Sequence, residues 1–305
     1  MGLQGLKFIS HVHFEQTVYP TGSFTIGQIR AGDMDPRKVT KQVFTQATTA
    51  KVRRDKGWLV ASFSDLVHCV AQLGSHNSRF NLFFRGQNED YLDKKNQTKL
   101  YPSIFRPDKG QKRLHNNVVR ARFKKLQDSM KSLRANSHDL GLLFSPLSIH
   151  NEYWLSLLQH YGICFTPLLD LTQSLRVAAS FALLNLETRR FQESGYLYVL
   201  GMPHLHGCIS FFADDGMTIV KLQSVCPPQA LRPHFQEGYL VGRWPRTGAK
   251  QATDNFAYWL VGKYQLDNTS ADFFGGDFPP IPADALIPRD DEFRDKLITL
   301  FNDMG

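Results

Sequence analysis

The stretch FFRGQ, Phe83–Gln87, sets a guanidinium at the end of an apolar run and follows it with a residue that has no side chain. Leu82–Phe84 reads as a buried strand, with Arg85 emerging where it ends. A planar fork of N–H donors at a strand end suits a phosphate or a carboxylate. Gly86 leaves room for a ligand or a second backbone to come close, and Gln87 adds an amide beside it. From these residues alone, a surface arginine before a turn glycine is the favoured reading.

A second stretch, QHYGICFTPLLDLTQSLRVAASFAL, covers residues 159–183 and holds only Asp170 and Arg176 as charges, histidine aside. CFTPLLDLT reads as a strand with Pro167 near its start, which points to an edge or entry position. Asp170 inside it needs a partner, because an unpaired carboxylate is costly to bury. Arg85 and the backbone donors around Thr172 are the candidates. Thr172 or Ser174 caps the helix that follows, and its Ala178, Ala179, Ser180 and Ala182 allow close packing on a sheet. A helix N-terminus beside a strand offers N–H groups and a positive dipole end to phosphate. The same pieces also make a plain strand–turn–helix corner with Asp170 in a buried network. Just upstream, His160 is either a helix C-terminal cap or a donor to a ligand ribose or carbonyl, and Tyr161 offers a face for a flat ring.

The elements that must position these residues can be read around them. SFSDLVHCVAQLG predicts a helix capped by Ser64 and stopped by Gly74. LYPSIFRP is extended, broken by Pro102 and Pro107. From Leu114 the spacing of Val119, Phe123, Leu126, Met130 and Leu133 predicts a helix that leaves Arg120, Lys124 and Lys131 off the buried stripe. A second helix covers Asn151–His160. GYLYVLGMP and HFQEGYLVGRW are strand candidates, and PRDDEFRDKLITLFNDMG is an amphipathic helix with acids in its first turn. Strands and helices do not alternate regularly, so an α+β fold of mixed small sheets with packed helices is expected. Three regions follow: a β-rich extension over 1–57, a main domain over 58–245, and a loop and amphipathic helix over 246–305 that complete it.

The 305 residues are 42% apolar and 12% aromatic, enough for a large core. No apolar run approaches the roughly 20 residues of a membrane span, so a soluble, cytoplasmic protein is expected. The four cysteines stand far apart without a C-x-x-C pair, which favours free thiols over zinc. No metal spacing is recognisable among the histidines, and there is no P-loop, G-x-G-x-x-G or hydrolase triad order. The formal charge of +8 favours a polyanionic partner. It concentrates between Arg106 and Lys125, where eight basic residues face the single Asp108. Arg113, Arg120, Lys124 and Lys125 are the nucleic-acid-binding candidates there, although solvated basic faces are common and no aromatic platform accompanies them.

Five pieces in order, FFRGQ, LYPSIFRP, EYWLSLLQHYGICFTPLLDLTQSLRVAASFA, GYLYVL and LRPHFQEGYL, resemble the FRG domain of bacteria and their phages. The resemblance spans about residues 58–245, and the C-terminal helix is similar too. CFTP departs from the family's Pro-Thr-Arg, and Leu171 stands where it has Trp. Arg232, Gln236 and Gly238 fit the late motif, with Glu237 in place of a small residue. A weaker, fold-level similarity to ADP-ribosyltransferases implies a split-sheet cleft with NAD as co-substrate. It places Arg85 and Thr172 in the first two catalytic roles and Gln236 or Glu237 in the third. Gly86, Gln87, His160, Tyr161, Asp170 and Ser174 would then hold NAD beside Arg85. The implied activity is ADP-ribosyl transfer, or NAD glycohydrolysis, by a toxin or phage-defence effector. Its target would be a nucleic acid or nucleic-acid-bound protein, with an antitoxin or inhibitor as a further partner. The alternatives are a non-catalytic module that recognises a nucleotide or nucleic acid, and a phage interaction or inhibitor protein.

Overall fold

The computed structural model describes residues 48–302, except 109, 112–113, 141, 143–145, 214 and 244–253. Its strands are β1 (Trp58–Val60), β2 (Asn81–Gln87), β3 (Leu168–Thr172), β4 (Ser194–Met202), β5 (Ile209–Phe212), β6 (Met217–Lys221), β7 (Gly238–Gly242) and β8 (Leu260–Asp267). They form one sheet in the order β1-β8-β4-β2-β3-β7-β6-β5. Only β1 and β8 run parallel; the other neighbours are antiparallel. The fold is α+β, with one eight-stranded sheet where several small ones were expected.

Alternation along β2 divides the core. Phe83 joins Leu169, Leu171, Tyr198, Tyr239 and Val241 on one face. Phe84 turns to the other face, where α2 (Phe63–His76) and α5 (Leu175–Leu183) pack. Ser62 caps α2 by accepting from the Asp65 N–H, and the helix continues through Gly74 to His76, with Asn77 as its C-cap. The expected cap at Ser64 and stop at Gly74 are thus displaced, because Ser62 is the extended residue and Ser64 is already helical. A third cluster holds the long α3 (Asn116–Ala135), α4 (Asn151–His160) and the short α6 (Leu222–Val225) against Leu168, Val220 and Leu240. Val119, Leu126, Met130 and Leu133 are its buried stripe on α3. Residues 1–47 of the expected β-rich extension lie outside the described residues. Thr49–Arg54, its last part, is a helix, α1.

Gly86 is needed for packing. A Cβ there would lie 1.9 Å from the Ala178 carbonyl oxygen and 2.5 Å from the Ala182 nitrogen. On the neighbouring strand, a Cβ at Gly195 would meet the Ala182 carbonyl oxygen at 2.0 Å. Two glycines on adjacent strands therefore let α5 lie against the sheet at backbone distance. The second backbone anticipated at Gly86 is that of α5.

Pro167 falls immediately before β3, so its missing N–H removes no ladder bond; the strand itself is central. The chain ends with α8 (Ala283–Leu286) and α9 (Glu292–Asn302), which begins with Glu292 and Asp295 in its first turn. Ser180 of α5 accepts from the Ile281 N–H, and Phe293 packs 5.5 Å from Tyr161, ring to ring. These contacts bring the C-terminal segment against the end of α4.

Candidate functional site

The sheet is weakest at its middle. β2 pairs with β4 over seven positions and β3 pairs with β7 over five, but β2 and β3 meet at one, Phe84 with Thr172. Past that point Arg85, Gly86 and Gln87 part from Leu171 and Asp170, and a cavity of about 670 Å³ opens between them. Its other walls come from the end of α4, the face of α5 around Val177 and Phe181, the irregular segment bearing Tyr91, Lys99, Tyr101 and Arg106, and α7 (Leu231–Gln236) with Ile287. This size is ordinary for a small-molecule site.

The lining brings together most of the residues singled out above. Arg85, Gly86, Gln87, His160, Tyr161, Asp170, Thr172 and Gln236 all line the cavity. Ser174 does not; it caps α5 by accepting from the Val177 N–H. Glu237 does not either. It ends α7 in the left-handed region, at φ 45°, and its side chain is exposed.

Four basic side chains, Arg85, Lys99, Arg106 and Arg232, face one carboxylate, Asp170. Arg85 donates from Nη1 to the Asp170 backbone carbonyl at 2.7 Å, and Arg106 donates from Nε to the Tyr101 carbonyl at 2.7 Å. None of the three arginines forms an ion pair among the described residues. The Nε atoms of Arg85 and Arg232 are buried without a hydrogen-bond partner. Burial pushes Arg85 down to about 10, and nearby Arg106 pushes the same way while Asp170 opposes it. Desolvation also lowers Arg106 and Arg232, again against the pull of Asp170. Even at about 10 the Arg85 guanidinium is charged at neutral pH. The cavity therefore concentrates positive charge that the protein leaves uncompensated, an arrangement that favours an anion.

Asp170 finds its partner from an unexpected quarter. Gln159, near the end of α4, donates from Nε2 to Asp170 Oδ2 at 2.7 Å. The Gln159 Oε1 accepts in turn from the Thr166 hydroxyl. The expected Arg85 contact goes to the backbone carbonyl instead of the carboxylate. Thr172 is committed as well: its hydroxyl accepts from the Ser174 N–H and faces the Gln236 and Glu237 carbonyls at 2.9 and 3.1 Å. The Gln236 amide donates to the Leu286 carbonyl at 2.6 Å, which ties α7 to α8.

Gly162 ends α4 with φ +67°, as a helix-terminating glycine does. That turn leaves His160 and Tyr161 in the cavity wall. The His160 ring is buried, with Nε2 lacking a partner. Desolvation, then Arg232, holds it well below the usual histidine range, so it is neutral. The Tyr161 hydroxyl is raised by burial and by neighbouring Asp291, and Arg232 lies 5.8 Å from its ring centroid.

Residues 80–190 match the FRG domain. The match begins in front of β2 and ends after α5, so it carries Arg85, Arg106, Asp170 and the α4 end, while Arg232 and Gln236 lie beyond it. No curated protein and no solved structure matches the chain. Among the described residues, no helix is long and apolar enough to cross a membrane, and no group of three or more His, Cys, Asp or Glu is placed to hold a metal ion. All four cysteines are free.

Outside the main cavity, the basic candidates divide. Arg120, Lys124 and Lys125 are exposed along α3, and Arg113 falls outside the described residues. Lys125 lines an adjoining groove of about 520 Å³ with Arg122 and Phe165, which shares Gln159 and Gly162 with the main cavity. Arg122 is structural: it donates to the Ile104 and Arg106 carbonyls and pairs with Asp108. Sequence reading assigned no role to Lys99, Arg106 or Gln159. For Arg106 a signal existed, since IFRP repeats the Phe-Arg of FFRG at the end of another short ordered segment.

Proposed function

We propose that the FRG cavity recognises a phosphorylated small molecule of the nucleotide class, and that recognition is its primary task. The observation that carries this reading is the set of three partly desolvated arginines converging without ion-pair partners on a cavity of nucleotide size. A guanidinium gains most from an oxyanion that it can grip with two parallel N–H groups. Arg85 and Arg106 would take the phosphates from the β2 side and Arg232 from the α7 side. Tyr91, Tyr101 and Tyr161 supply ring faces for a base.

NAD belongs to this ligand class. Its transfer chemistry calls for a carboxylate at the late position to stabilise an oxocarbenium-like centre. Here Glu237 is exposed outside the cavity and the Gln236 amide is engaged with Leu286. That placement favours binding over ADP-ribosyl transfer. Whether the ligand is free or joined to a nucleic acid, the same arginines would receive its phosphate.

Calorimetry with pyrophosphate, ADP, ATP and NAD, with nicotinamide release followed in the NAD samples, tests the reading. Binding of at least one of these, without release, is expected. Steady nicotinamide release that Arg85→Ala abolishes would replace recognition with transfer. No binding of any of them would sink the phosphate reading altogether.

A further inference from the structure

Resting on the phosphate-ester reading, Asp170 raises a separate question: why does an anion site keep a carboxylate in its lining? It lies close enough to act on Arg85, Arg106 and Arg232 alike, yet forms an ion pair with none of them. A carboxylate that served only to neutralise arginines would sit on one. Instead it is held away by a neutral chain, Thr166 hydroxyl to Gln159 Oε1 and Gln159 Nε2 to Asp170 Oδ2. Thr166 is fully buried and its oxygen also accepts from the Leu168 N–H at 3.2 Å, so the chain is anchored in the core. This arrangement fixes Oδ2 and leaves Oδ1 with no donor among the described residues, on a residue that lines the cavity.

An aspartate held in this manner repels a phosphate oxygen and accepts from a hydroxyl. We propose that Asp170 Oδ1 accepts a hydrogen bond from a sugar hydroxyl of the ligand, so that the cavity takes a ribonucleotide in preference to a deoxynucleotide or an inorganic anion. Arginines and carboxylate then divide one ligand between them. The guanidiniums take its phosphates, and Asp170 takes the neutral hydroxyls next to them. The same charge keeps bare phosphate and pyrophosphate from occupying the whole site.

The test compares ADP, 2′,3′-dideoxy-ADP and pyrophosphate by calorimetry on the full chain, as wild type and as Asp170→Asn. The comparison between ligands on the wild-type protein does not depend on how any variant folds. A hydrogen bond to a charged acceptor corresponds to about a tenfold or greater preference. Wild type should therefore bind ADP at least about tenfold tighter than the dideoxy compound. Asp170→Asn should reduce that preference to about twofold or less while binding pyrophosphate more tightly. Equal wild-type affinity for ADP and its dideoxy analogue would overturn the assignment and leave phosphate recognition standing. So would a preference that survives in Asp170→Asn, which would place the hydroxyl elsewhere. Failure of wild type to bind ADP and pyrophosphate alike would remove both readings together.

Discussion

Arg85 crosses the parting of β2 and β3 to donate from Nη1 to the Asp170 carbonyl, at 2.7 Å, while its Nε stays buried and unpaired. One corner of the guanidinium is thus fixed to the opposite strand. The Nε edge keeps its hydrogen-bonding capacity for something the protein does not supply. The strand pair meets only at Phe84 and Thr172, and Arg85 bridges the gap beyond that point, which is the cavity.

Replacing Arg85 by Ala should lower pyrophosphate and nucleotide affinity by roughly tenfold to a hundredfold, the range expected for a lost charge-assisted contact. Stability should change little. The lost bond to the Asp170 carbonyl is offset by removing a desolvated charge that Arg106 opposes. Arg85→Lys keeps the charge without the fork and should fall between the two. Calorimetry alongside thermal melting separates the effects. Unfolding of Arg85→Ala would show that the residue is chiefly a strut between strands.

His160 gives the chain a defined acid sensitivity. Burial and Arg232 hold its folded pKa well below 6.5, whereas the unfolded chain takes up the proton near 6.5. The folded pKa is the lower one, so the associated stability is present above about 6.5 and is lost as pH falls towards the folded value. The slope is up to about 1.4 kcal/mol per pH unit for one proton. Urea unfolding of wild type and His160→Gln at pH 7, 6 and 5 should show the gap between them shrinking as pH falls, since the other groups cancel. A constant gap would mean that His160 protonates as freely in the folded protein as in the unfolded chain.

The contrast between Gly86 and Gly162 is a test of packing against backbone preference. Alanine at Gly86 drives its Cβ into the Ala178 and Ala182 backbone, and no side chain is there to move aside. Overpacking of this kind costs about 1–3 kcal/mol or more. Alanine at Gly162 meets nothing within 4 Å and suffers only the left-handed φ, about 1–2 kcal/mol. Chemical denaturation should therefore rank Gly86→Ala as the more damaging change, with Gly195→Ala close to it. The reverse order would show that α5 can shift away from the sheet at little cost.

How much of this was legible beforehand follows from where each residue sits. β2, α4 and α5 were readable because strand and helix periodicity spans them, and His160 and Tyr161 stand at the end of α4. Arg85, expected where the strand ends, instead lies within β2, which runs on paired to Gln87, and Asp170 is the middle residue of β3. The Gln159–Asp170 bond was not readable. Those residues are eleven apart, and only the packing of α4 against β3 decides that the amide, and not Arg85, meets the carboxylate. Lys99 and Arg106 lie in irregular chain between β2 and α3, where no period marks the inward face. Glu237 was a fair candidate by position. Its exposure follows from the left-handed residue that ends α7, which turns it out one step after Gln236 turns in.

Lys263 shows the same limit on the opposite side of the cavity wall, and it carries the last prediction. Its ammonium is almost fully buried and donates to Asp90 Oδ2, to the Thr98 hydroxyl at 2.9 Å and to the Asp55 carbonyl at 2.6 Å. Asp90 Oδ1 accepts from the Tyr198 and Thr98 hydroxyls, both at 2.9 Å. Tyr91 and Lys99 of the cavity each follow a member of this network by one residue, so the buried pair holds the wall in place. Lys263→Met strands the Asp90 charge and should cost about 3–5 kcal/mol, with nucleotide affinity falling as the wall loosens. Adding Asp90→Asn removes the stranded charge and should restore most of the stability. Urea denaturation of the two variants decides the point. A double variant no more stable than Lys263→Met would mean that the loss lies in packing rather than in an uncompensated carboxylate.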